Sequence, residues 1–187
     1  MIVVKDNPIS EHYRDLCLPS WEEKGFKVNI FDAVTPETLD QYNELTFGKK
    51  VNKHNKVLDF TETEKAVWYS HYLLWKRCFD NNTPLIVCEH DIKLLAKLGN
   101  EVFKNDMACI CHVKRNRKEN TIIRHAGGAY FLTPKVAKNL VRVSNRIIDF
   151  NSDWWLHLNC DEYGKWLVGK SIHSVDPDIG VTVTHNK

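Results

Sequence analysis

No apolar run in this sequence approaches the roughly 20 residues that a membrane-spanning helix requires, so no integral membrane contact is expected. The opening Met1-Ile-Val-Val-Lys5 is apolar but broken by charge, a short strand rather than a secretory signal. Neither a Gly-x-Gly-x-x-Gly dinucleotide fingerprint nor a Gly-x-Ser-x-Gly nucleophile elbow occurs, which sets aside Rossmann oxidoreductase and serine-hydrolase chemistry. Repeats and low-complexity tracts are absent. Zinc-type spacing is missing as well. Cys109-x-Cys111 and His157-x-x-Cys160 offer ligand types, but alternate strand residues match a zinc knuckle poorly. Cys17, Cys78, Cys88, Cys109, Cys111 and Cys160 therefore read as reduced, mostly buried thiols, and the expectation is a cytoplasmic protein.

A strong charge of one sign is lacking too, since 26 basic and 24 acidic residues leave +2. The basic residues are nevertheless clustered. Lys49, Lys50, Lys53 and Lys56 form an acid-free run with His54, and His112 to His125 holds a second run containing Lys114, Arg115 and Arg117. Both fall between expected elements and read as loops, either simply solvated or gripping a polyanion. With 187 residues, 43% apolar and 27% charged, the chain is expected to form a single domain, 1–187, with a full core.

Strands and helices alternate along the chain. Ile2 to Val4 begins a strand, and Asn7-Pro8 leads into a helix capped by Ser10. That helix is expected to stop near Pro19, resume through Trp21 and end at Gly25. Phe26 to Phe31 reads as the second strand, and residues 35 to 60 as irregular, with Pro36 opening a short helix. Thr61-x-x-Glu64 is a capping box opening a largely buried helix. Further expectations are a helix over Leu94 to Phe103, strands at Met107 to Val113 and Gly127 to Leu132, and a helix after Thr133-Pro134. The alternation indicates an α/β sandwich with a mostly parallel sheet.

Pro84-Leu-Ile-Val-Cys-Glu-His-Asp-Ile-Lys-Leu94 carries the strongest chemical signal. An apolar strand runs into Glu89 and Asp91, and on an extended backbone these alternate side chains share a face while His90 points away. Two carboxylates at the carboxyl end of a buried strand suit a hard divalent cation, at the edge where open α/β sheets bind ligands.

Upstream lies Thr61-Glu-Thr-Glu-Lys-Ala-Val-Trp-Tyr-Ser-His-Tyr-Leu-Leu-Trp75; downstream lies Gly127-Gly-Ala-Tyr-Phe-Leu-Thr-Pro-Lys-Val-Ala137. In order and spacing, Ser70-His71, Trp75, the triplet from Glu89 to Asp91, Ala129-Tyr130 and Ala137 resemble glycosyltransferase family 25, the lipooligosaccharide type. The opening strand, the helix carrying Arg14 and the Asp32-Ala-Val34 turn fit the same pattern, so the likeness covers most of the chain. One departure stands at the middle of the triplet, where the family's acid is His90.

The resemblance implies a GT-A-like nucleotide-sugar-binding sandwich and an inverting, metal-dependent transfer of sugar from a nucleotide donor, UDP-linked, to a hydroxyl. Glu89 and Asp91, with His185 as a third ligand, would hold Mn²⁺ or Mg²⁺. Asn7, Arg14, Asp32, Ser70, His71 and His90 would line the nucleotide-sugar side. Asp153 would serve as the base that deprotonates the acceptor, with Glu64 as a second catalytic candidate. Lys114, Arg115, Arg117, Gly127 and Gly128 would face the acceptor, a saccharide or, in a compact enzyme of phage type, a hydroxymethylated DNA base. Two rivals remain open: a binding protein weakened in catalysis by His90, and a metal-dependent nuclease or phosphotransferase.

Overall fold

The computed structural model describes residues 1–51, 55–110, 113–116, 121–124, 128–152, 156, 164–166 and 171–173. Helix α1 (Pro8–Glu22) follows β1 (Ile2–Val3), and β2 (Phe31–Asp32) pairs in parallel with β1. An excursion follows, with a 3₁₀ turn at Pro36–Gln41, β3 (Thr46–Phe47) and the hairpin of β4 (Lys49–Val51) and β5 (Val57–Asp59). Then come α2 (Glu62–Asp80), β6 (Leu85–Cys88), β7 (Ile92–Leu94), α3 (Asn100–Phe103) and β8 (Met107–Cys109). A second hairpin, β9 (Val113–Asn116) and β10 (Thr121–Arg124), leads to β11 (Ala129–Leu132), α4 (Pro134–Ser144) and β12 (Ile147–Ile148). The described elements end with β13 (Gly164–Trp166) and β14 (Ser171–His173).

The central sheet has the order β13-β8-β11-β6. Strand β11 runs antiparallel to both β8 and β6, and β13 runs parallel to β8. Strands β6, β8 and β13 thus share one sense and β11 alone opposes them, so the sheet is mixed. Adjacent parallel strands need a crossover, usually helical, whereas the chain travels from β8 to β11 through the β9–β10 hairpin and so returns in the opposite sense. The fold is therefore mixed α/β. An isolated parallel bridge from Ile2 to Glu89 sets β1 beside the end of β6.

Both faces of this sheet are buried, and strand alternation sorts its residues between two cores. Val87, Met107, Cys109, Tyr130 and Leu132 pack with Trp68 and Trp75 of α2 and Val136 and Leu140 of α4. Cys88, Ala108, Ile110, Ala129 and Phe131 pack on the other side with Cys17 and Trp21 of α1, Ile92 and Leu94 of β7, and Val102 of α3. Burial on both faces is why these strands read as continuous apolar runs.

Several local expectations give way to packing. Asn7, not Ser10, caps α1: its Oδ1 accepts from the backbone N–H of Ile9 and Ser10, with Pro8 at the first helical position. Ser10 Oγ instead accepts from the N–H of Val4 at 2.9 Å, tying the helix to β1. The helix also runs through Pro19. Proline there removes one helical hydrogen bond and costs about 3 kcal/mol, but Tyr13, Cys17 and Trp21, buried at four-residue spacing, hold the helix against the sheet. The expected helix over 94–103 shrinks to α3, because Ile92 and Leu94 alternate into the core as β7. Trp21 Nε1 donates to the Ile92 carbonyl at 2.8 Å, and Ser20 Oγ accepts from the Leu94 N–H at 2.9 Å. The second strand contracts to β2, and both basic runs ride on hairpins rather than loops, the first turning through Asn55 at φ 57°.

Candidate functional site

Strands β1 and β6 run side by side in the same sense, and β2 runs parallel to β1, so their carboxyl ends open on one edge. Glu89, Asp32 and the loop after Val3 meet this edge. The ladder between β6 and β11 continues one step past Cys88, with the Glu89 N–H donating to the Gly128 carbonyl at 2.8 Å. There the chain turns: the Ile92 N–H donates to the Glu89 carbonyl at 3.3 Å, closing a tight turn over His90 and Asp91. Extended alternation therefore stops at Glu89. The strand alternation expected to set Glu89 and Asp91 on one face therefore does not extend to Asp91, because the turn lets Ile92 re-enter the core as the first residue of β7.

Behind Glu89 lies a buried polar chain. His71 is 1% exposed and Tyr130 and Trp75 are fully buried. Trp75 Nε1 donates to the Tyr130 hydroxyl at 2.9 Å, and that hydroxyl lies 2.8 Å from Nδ1 of His71. The other ring nitrogen, Nε2, faces Glu89 Oε1 at 3.7 Å, and Glu89 keeps 30% of its side-chain surface open. Helix α2 and strand β11 thus hold the imidazole from two directions. His90 is half-buried in tilted contact with Tyr13 of α1, ring centroids 6.4 Å apart, and its buried Nε2 meets no hydrogen-bond partner among the described residues. Oδ1 of Asp91 is likewise withdrawn from solvent.

Other sequence candidates take different places. Ser70 is buried; its hydroxyl accepts from the Val34 N–H at 2.9 Å and donates to the Ala66 carbonyl at 3.0 Å, pinning the Asp32–Val34 turn to α2. Glu64 closes the capping box, its Oε2 accepting from the N–H and hydroxyl of Thr61 at 2.9 and 3.0 Å, while Oε1 pairs with Lys50. Burial by itself would raise its pKa, but the Lys50 and Thr61 hydrogen bonds outweigh that and hold the carboxyl below its ordinary value. Such a carboxylate is a poor proton acceptor. Asn7 is engaged as the α1 cap, Arg14 pairs through Nε with Asp15 at 2.8 Å, and Asp32 is exposed at the end of β2. Gly128 contributes a backbone carbonyl to Glu89. Lys114 and Arg115 lie on β9, opposite Ile123 and Ile122. Asp153, His185, Arg117 and Gly127 lie outside the described residues.

Two described lysines of the first basic run have acidic partners. Besides the Lys50–Glu64 pair, Lys49 Nζ lies 3.9 Å from Asp59 Oδ1. Among the described residues no three His, Cys, Asp or Glu side chains converge on one point. A cavity of about 530 Å³ opens at the opposite edge, where β1, β2 and β6 begin. Its lining of Trp21, Phe31, Leu85, Phe131 and similar residues includes no acid and no histidine, so it offers no carboxylate for a hard cation.

One string passes unnoticed in a plain sequence reading. Gly164-Lys-Trp-Leu-Val-Gly-Lys-Ser171 has the spacing of a phosphate-binding P-loop. That motif needs its last residues at a helix start, whereas Ser171–His173 is strand β14, paired antiparallel with β7. The match is therefore accidental. Sequence reasoning also gave no role to Trp75 and Tyr130, although both sit inside quoted motifs. Their signal was an aromatic with a polar tip in a core stripe, which requires a buried hydrogen-bond partner.

Comparison with known proteins follows the same residues. The family model described as glycosyltransferase family 25 (LPS biosynthesis protein) matches residues 10–127. Over 87 residues, 46% of this chain, the sequence is 30% identical to the lipooligosaccharide biosynthesis protein lic2B of Haemophilus influenzae. The matched stretch is 31% of that relative's length.

Proposed function

Because the chain belongs to glycosyltransferase family 25, we propose that it moves a sugar from a nucleotide-activated donor, UDP-linked, onto a hydroxyl of a saccharide acceptor. The observation that carries this reading is the edge where β1, β2 and β6 end, with Glu89 backed by His71, Tyr130 and Trp75. Parallel strands opening on one edge are where α/β folds receive nucleotides, and this supports a GT-A-like assignment.

Glu89 and Asp91 supply hard oxygen donors, and the solvent-shielded Oδ1 of Asp91 suits a desolvated cation. Two carboxylates fit Mn²⁺ or Mg²⁺ shared with substrate phosphates, because such ions take their remaining ligands from phosphate and water. When bound, the ion would neutralise charge on the departing diphosphate. The protein's own groups do the rest. Ser70 fixes the turn carrying Asp32, so that the base-and-ribose end of the donor meets a rigid surface. His90 presents Nε2, a buried polar atom suited to a donor phosphate or sugar hydroxyl. Asp153 is the proposed base that accepts the acceptor's proton, as a single displacement with inversion requires.

The decisive experiment is a mass-spectrometric screen of nucleotide-sugar hydrolysis by the full chain with Mn²⁺. Release of UDP from one donor supports the reading. UDP and Mn²⁺ binding without turnover points to a binding protein in which His90 has displaced an acid needed for catalysis. Nicking of plasmid DNA with Mg²⁺, and no donor hydrolysis, points to a nuclease. A saccharide acceptor is preferred to DNA because Lys49 and Lys50 of the β4–β5 hairpin are already paired with Asp59 and Glu64; duplex binding at about 50 mM salt that falls steeply with added salt would reverse that preference.

A further inference from the structure

We propose that the outer face of α4 docks on an anionic lipid surface, holding the chain at a membrane without crossing it. The helix is two-sided. Val136, Ala137, Leu140 and Ser144 are buried, the first three in the core shared with α2. Lys135, Lys138, Arg142 and Arg146 are exposed and recur at intervals of three and four residues, so they form one ridge on the opposite side. At the helical rise the ridge is about 16 Å long. Helix α4 itself carries no acidic residue. Lys135 is paired with Asp106, but Lys138, Arg142 and Arg146 have no acidic partner among the described residues, and Asp80 nearby is held by Lys76.

Helix stability does not account for this pattern. Cations suit the C-terminal end of a helix dipole, where Arg142 and Arg146 lie, yet Lys135 and Lys138 stand at the opposite, positive end. Successive like charges three and four residues apart also repel one another. A plane of anions relieves that repulsion. Apolar groups decide between lipid and nucleic acid. Phe79, 39% exposed, lies beneath Lys138, whose Nζ is 6.0 Å from the ring centroid, and Ile147, directly after Arg146, is 67% exposed. Each end of the ridge thus has an exposed apolar side chain, which gains from entering a headgroup layer and gains nothing from a phosphate backbone. Basic elements hold to membranes by this combination of charge and modest apolar area. None of these residues belongs to the edge where Glu89 lies, so docking and sugar transfer are separable.

The test is co-sedimentation of the full chain with vesicles of phosphatidylcholine alone or with about one third phosphatidylglycerol. Binding should require the anionic lipid and disappear at about 500 mM salt, where charges are screened within a few ångströms. Neutralising Lys138, Arg142 and Arg146 to Gln should lower the partition coefficient about fivefold each and about 100-fold together. Donor hydrolysis and the thermal melt should be unchanged. Lys93, Lys97 and Lys104, on β7 and around α3 at the other face of the sheet, provide the control: the same three charges removed there should leave vesicle binding nearly intact. Ile147→Ser should weaken vesicle binding, and an unaltered affinity overturns the choice of lipid over a general polyanion. Wild-type binding by the ridge variant, or an equal loss in the control, overturns the proposal. So does binding to duplex DNA without binding to anionic vesicles. If the triple variant does not fold, Lys138→Gln alone decides, with a loss of about fivefold expected.

Discussion

Ser70→Ala separates two roles that a sequence cannot tell apart: contact with the sugar nucleotide, and support of the turn beside it. In the structure the hydroxyl accepts from the Val34 N–H and donates to the Ala66 carbonyl, and Val34 is 6% exposed. Removing the hydroxyl leaves the Ala66 carbonyl with its ordinary helical bond, but strands the N–H of Val34. A stranded buried donor costs about 1–3 kcal/mol. Alanine recovers part of this, roughly 0.5 kcal/mol, as the better helix former. The net loss is about 1–2 kcal/mol, and in a chain of this length it should lower Tm by about 2–8 °C. Circular-dichroism melts of wild type and variant give the stability, and calorimetric titration with UDP and Mn²⁺ gives binding. A lower Tm with binding weakened only modestly is the expected pair. An unchanged Tm with binding abolished would refute the reasoning, since Ser70 would then be touching the ligand and not the turn.

Glu64→Gln should retain donor hydrolysis, since that carboxylate is held by Lys50 and Thr61. Its folded pKa is depressed, so its stabilising contribution is present above the ordinary carboxylate range and disappears as pH falls through the folded value; urea melts at neutral and acid pH should show a smaller acid-induced loss in the variant. Asp91→Asn should abolish Mn²⁺-dependent UDP binding while leaving the melt nearly unchanged, and His90→Asp should be tolerated or bind Mn²⁺ more tightly. Persistence of wild-type Mn²⁺ dependence in Asp91→Asn would remove the basis of the metal assignment. Burial pushes the Cys78 and Cys88 thiols up to about 11, so iodoacetamide at about pH 8 should label their peptides only after denaturation, because the thiolate is the reactive form. Rapid labelling of either in the native protein would contradict the packing described.

Where hydrogen bonds close within a few residues, the sequence was sufficient. Thr61 and Glu64 form the capping box and α2 runs from there, because both partners of each cap bond lie within one turn. Apolar runs at 85–88, 107–109 and 129–132 became the buried strands, and the order of motifs around them identified the family. Local pattern failed where distant partners decided. Pro19 argues for a helix end, yet Trp21, bonded to Ile92 71 residues away, keeps α1 intact. Strand direction followed from a hairpin bringing β11 back beside β8 and β6, which no strand's own composition encodes. Glu89 and Asp91 were legible as two carboxylates following an apolar strand, but the turn between them, closed onto a core that recaptures Ile92, was not. Ser70 and His71 are neighbours in one motif, and only the fold sets one against the Val34 backbone and the other between Tyr130 and Glu89. The physical reason is common to all of these: side-chain type fixes what bonds a residue can make, and burial of long-range partners selects which are made.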